Sequence, residues 1–124
     1  MKKGLMFIVV LLVAVALPLQ AKDKKPEKDV TIKGEVVDVA CYLAQGAKGE
    51  KHKDCAEACA KAGGTLGVLT PAGKLYVSIL PDDHSASPNA ILMDHIAKMV
   101  EATGKVRSKG GVQGIMITSV TDAK

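Results

Sequence analysis

The chain has 124 residues, 17 basic and 13 acidic side chains, a formal charge of +4, and only two Tyr, one Phe and no Trp. That length allows one domain with a modest core. The nearly balanced charge and the scarcity of aromatics exclude the basic, ring-lined groove of a single-strand nucleic-acid binder.

The first 21 residues have the order of a secretion leader. Lys2 and Lys3 form a positive start, Leu5 to Leu17 is an uncharged apolar run, and Pro18 ends it before small residues. A spanning helix needs about 20 apolar residues, and this run is shorter, so no stable membrane span is expected once the leader is cleaved. Ala14-Val15-Ala16 fits the small-x-small cleavage rule, whereas the charge step at Lys22 favours cleavage after Ala21. No cysteine closes the apolar run, which argues against a lipid anchor. The expected location is periplasmic or extracellular. Loss of Lys2 and Lys3 lowers the charge to +2 and leaves Tyr42 and Tyr76 as the aromatics.

Residues 22–29 (KDKKPEKD) carry seven charges and one proline. Such a segment has nothing to bury and reads as a tether. The domain then occupies residues 30–124.

Val30, Ile32, Gly34 and Val36 alternate with polar residues, the period of a strand. The apolar set changes face at Val36-Val37 and runs on through Val39 to Cys41. A face switch beside a glycine predicts a bend, so that one strand serves two sheets. After a Gly-bounded loop, residues 50–62 predict a helix rich in Ala, Lys and Glu, with i,i+4 pairs Lys53/Glu57 and Glu57/Lys61 and a Gly63-Gly64 stop. Thr65–Thr70 and Leu75–Leu80 predict a hairpin around Pro71-Ala72-Gly73-Lys74. Ser87-Pro88 reads as a helix start, followed by an apolar stripe at Leu92, Ile96 and Met99. Alternation from Val100 to Arg107 and the segment Gln113–Val120 predict two last strands around a Ser108–Gly111 turn.

The expected fold is therefore mainly β with two helices, a small five-stranded OB-like barrel. A two-layer α+β sandwich is the alternative. Val36, Val39, Leu69, Val77, Leu92, Ile96, Val106 and Ile117 are the expected core.

The segments GEVVDVACYL, GAKGEKHKDCAEACAKAGGTLGVL and ATGKV resemble those of a group of small exported bacterial OB-fold-like proteins. The resemblance spans most of Thr31 to Val106 and is most specific from Asp38 to Leu69. It implies the barrel and the exported location and brings no activity with it.

One constellation concentrates chemistry: Cys41, His52, Cys55 and Cys59. On a helix, the spacings 52/55 and 55/59 place three side chains within roughly 60° of one face. Cys41 precedes the loop that leads into that helix. Four such donors suit tetrahedral zinc or a thiolate-rich copper(I) site. The bland alternative is a disulfide from Cys41 to Cys55 or Cys59, a staple worth about 2–4 kcal/mol in a small exported domain. A thiol-redox pair is a third reading.

Elsewhere the chain offers little. Asp82-Asp83-His84-Ser85 reads as a solvated loop and His95 as a boundary residue. The Gly-rich pieces lack the strand-to-helix setting of a phosphate loop. No nucleophile elbow or recognisable acid pair appears, so no enzyme is expected. The sequence points to an exported binding module for metal, or else to a disulfide-stapled domain that binds a protein or a small ligand.

Overall fold

The computed structural model describes residues 28–124; the leader and most of the tether lie outside them. The first strand, β1 (Val30–Asp38), divides its length between two neighbours. Val30 to Glu35 pair antiparallel with β4 (Met99–Lys109), and Glu35 to Asp38 pair antiparallel with β2 (Leu66–Leu69). The change of partner follows Gly34, where a Cβ would lie 2.5 Å from the Leu69 carbonyl oxygen. Only a residue without a side chain lets the two strands approach so closely. The predicted two-sheet strand is therefore present.

β2 continues the sheet to β3 (Leu75–Ser78), β4 pairs with β5 (Val112–Asp122), and a short parallel pairing of β3 with β5 closes the ring. The order β1-β2-β3-β5-β4 is a closed barrel. Closure settles the choice between barrel and sandwich and leaves no long open edge.

The interior is aliphatic, as the shortage of aromatics requires. Leu66, Val68, Leu92, Ile96, Val100 and Ile115 are at most 1% exposed. Of the expected core, Val36, Leu69, Leu92 and Ile96 are buried, while Val39, Val77, Val106 and Ile117 are half-buried.

Three local expectations are corrected. β1 stops at Asp38, and Cys41 lies on a short helix, α1 (Val39–Gln45), not at a strand end. The helix predicted over 50–62 starts as a 3-10 turn at Glu50–His52 and becomes α2 (Lys53–Lys61). After Pro88 there is no α-helix but a run of turns and a 3-10 segment, Met93–His95. The Ser87 hydroxyl accepts from Asn89 N–H at 3.3 Å, a local turn rather than a helix cap. Strand-like pairing then takes over. Ile96 bridges Val36 in parallel, the Ala97 N–H donates to the Val36 carbonyl at 2.9 Å, and Met99 enters β4 opposite Glu35. Leu92 and Ile96 still bury, both joining the hydrophobic core. Among the described residues no helix is long and apolar enough to cross a membrane.

Candidate metal centre

The site is built on the link between β1 and β2, which carries both helices. α1 begins directly from β1, and Asp38 is its N-cap: Oδ1 accepts the backbone N–H of Cys41 at 2.8 Å. This satisfies one of the free N–H groups of the first turn and fixes Cys41 at its third position. Gly46, in the left-handed region, ends the helix, its N–H donating to the Tyr42 carbonyl at 2.8 Å.

α2 faces the barrel with its alanines. Ala56 and Ala60 are buried, and small side chains let the helix lie close to β1. The helix ends in a Schellman arrangement around Gly63, whose φ is +99°. Gly64 N–H donates to the Cys59 carbonyl at 2.8 Å and Gly63 N–H to the Ala60 carbonyl at 3.1 Å. The backbone of Cys59 is thereby fixed at one end of the site, as that of Cys41 is at the other.

Between the two helices the sulfurs of Cys41, Cys55 and Cys59 all lie within 4.8 Å of one another. All three are free thiols; Cys41 and Cys59 are half-buried and Cys55 is exposed. Three thiolates on one metal at about 2.3 Å sit about 3.8–4.0 Å apart. The trio thus needs to close by no more than about 1 Å to hold an ion. It is a three-sulfur donor set open on the Cys55 side.

Asp38 sets the electrostatics. It is 1% exposed, and its Oδ2 has no hydrogen-bond partner of standard geometry. The Cys41 thiol is pushed up from 9.0 to about 12. Interaction of the protonated thiol with Asp38 is the largest cause, followed by burial, the negative charge of Asp38, and Cys59. Without metal, Cys41 is therefore a neutral thiol. Sequence reasoning passed over Asp38; its position three residues before Cys41, at the start of a helix, was the available signal.

His52 stands outside the trio. It ends the 3-10 turn before α2 and lines a small cavity with Glu35, Val36, Asp38, Gly49 and Ile96. Its Nε2 is buried without a hydrogen-bond partner. The predicted common face requires a continuous helix from 50, and the 3-10 turn removes that continuity at His52.

The remaining histidines have structural surroundings. His84 lies in an exposed loop at φ +53°, beside Asp83, whose carboxyl is lowered chiefly by hydrogen bonds from Ser85. His95 Nδ1 lies 2.6 Å from Asp122 Oδ1, joining the 3-10 segment to the end of β5. Among the described residues only the three cysteines group as metal-ligating side chains.

No family model, curated protein or solved structure matches this chain. The functional reading therefore rests on the barrel and the thiol trio.

Proposed function

We propose that this is an exported metal-binding module whose barrel holds a thiophilic metal through Cys41, Cys55 and Cys59. The observation that carries the reading is the convergence of three free thiols, from two helices, within 4.8 Å. Thiolates select copper(I) and zinc over hard cations. Copper(I) suits three sulfurs alone. Zinc favours four ligands, and the exposed side at Cys55 leaves room for a fourth from solvent or from a partner. The leader-like start at Lys2-Lys3 and Leu5–Leu17 supports export, and the charged stretch 22–29 supports a tether that separates the domain from it.

In this reading the three cysteines, once deprotonated, hold the ion. Asp38 positions Cys41 through its backbone N–H and takes no place in the trio. Protein purified without reductant, then analysed for zinc and copper and for free thiols with and without chelator, tests the reading. One metal per chain, with three thiols released by chelator, supports it. No metal together with one free thiol per chain contradicts it and leaves a staple.

The staple is the second reading. It is favoured by the sulfurs of Cys41 and Cys59 lying within 4.8 Å of each other on two different helices. A Cys41–Cys59 bridge would tie α1 to α2.

A further inference from the structure

The three thiols differ in access: Cys55 is exposed, while Cys41 and Cys59 are half-buried and stand on different helices with their sulfurs within 4.8 Å. A disulfide can be formed only at a sulfur that an oxidant reaches. The pair best placed for a lasting bridge is therefore not the pair best placed to meet an oxidant.

We propose that the trio is an ordered thiol–disulfide relay in which Cys55 takes up oxidation from an external disulfide and passes it to Cys41 and Cys59, closing the metal site. Cys55 loses its proton to solvent, and its sulfur attacks one sulfur of R–S–S–R. A Cys55–S–S–R bond forms and one RS⁻ leaves, to be protonated by water. Cys59, one helical turn away and within 4.8 Å, attacks the Cys55 sulfur and expels the second RS⁻, which takes up the proton that Cys59 loses. A bridge between two residues of one helix departs from relaxed disulfide geometry and is readily exchanged. Cys41 then attacks the Cys59 sulfur as its proton passes to the departing Cys55 thiolate, so that Cys55 leaves as the free thiol. In sum, two protein thiols are oxidised, one external disulfide is reduced to two thiols, and Cys55 is regenerated.

The bridge removes two of three donors, so the oxidised domain no longer holds metal. That consequence rests on the proposed function, whereas the exchange itself does not. The geometry around the bridge supports the end state. Cys41 is fixed by the Asp38 cap and Cys59 by the Gly64 N–H, on opposite sides of the gap to be closed.

The test uses reduced, metal-free protein treated with glutathione disulfide and followed by intact mass and peptide mapping. The expected course is an early adduct on Cys55, then a Cys41–Cys59 bridge with Cys55 free. Cys55→Ser, at an exposed position, should slow bridge formation about tenfold or more, because access governs the first step. Cys59→Ser should accumulate the Cys55 adduct or a Cys41–Cys55 bridge. A persistent Cys55 adduct in the wild type, or bridge formation in Cys55→Ser at the wild-type rate, overturns the relay. Zinc uptake before and after oxidation separates the two claims. Zinc bound by reduced and not by oxidised protein supports both. Zinc bound by neither overturns the metal reading, while the peptide map alone decides the relay.

Discussion

The buried carboxylate of Asp38 caps the helix that presents Cys41, its Oδ1 2.8 Å from the Cys41 backbone nitrogen, while also holding the Cys41 thiol in its protonated form. One side chain thus places the Cys41 thiol and opposes its ionisation. Burial makes the opposition effective, since a charge 1% exposed is poorly screened by water.

Replacing Asp38 separates the two roles. Asp38→Asn retains an oxygen for the cap and removes the charge, so the Cys41 thiol should titrate at lower pH, read from thiolate absorbance. Asp38→Ala should do the same and also lose about 1 kcal/mol of stability with the cap. An unchanged thiol titration in Asp38→Asn would count against the assigned cause.

The metal-free domain should weaken in alkali. Cys41 is raised from 9.0 to about 12 in the folded protein. Its contribution is full below pH 9.0, where both states hold the proton, and is lost as pH rises through about 12. Denaturant midpoints measured across that window should fall, and Cys41→Ser should flatten the fall. A wild-type midpoint that rises with pH there would show the sign to be wrong.

Metal binding must drive the proton off Cys41, so affinity should weaken as pH falls, with protons released on binding. Calorimetric titration in buffers of different ionisation enthalpy counts them. Release of no proton at neutral pH would be incompatible with coordination by Cys41.

The core offers a separate check. Leu92 and Ile96 are at most 1% exposed. Leu92→Ala should cost about 2–5 kcal/mol. Ile96→Asp should unfold the domain, because an unpaired charge is not buried cheaply. His52→Ala, outside the trio, should leave the number of bound metal ions unchanged.

Much of this arrangement was legible in the residues. Period-two alternation around Gly34 exposed the strand that changes partners, because the position needs both a bend and no side chain. The Gly63-Gly64 stop and the alanine-rich face located α2. Three of the four singled-out side chains converge because two of them share a helix and the third lies a short loop away. Less legible was the stretch after Pro88. Its Leu92–Ile96 spacing fits a helix, yet the backbone of Val36 offers Ile96 and Ala97 pairing that only the assembled barrel creates. The start of α1 was hidden for a related reason: Val39 to Cys41 continues the strand's apolar pattern, and only the cap at Asp38 turns the chain. His52 was misplaced by one turn of 3-10 helix, a change too small for periodicity to register.

The central claim is that three sulfurs share one metal ion, and X-ray absorption at the metal edge of the zinc-loaded reduced protein tests it most directly. The account predicts a shell of three sulfurs at about 2.3 Å, falling to two in Cys55→Ser and unchanged in His52→Ala. A shell of nitrogen and oxygen alone, or a sulfur count untouched by removal of Cys55, would contradict it.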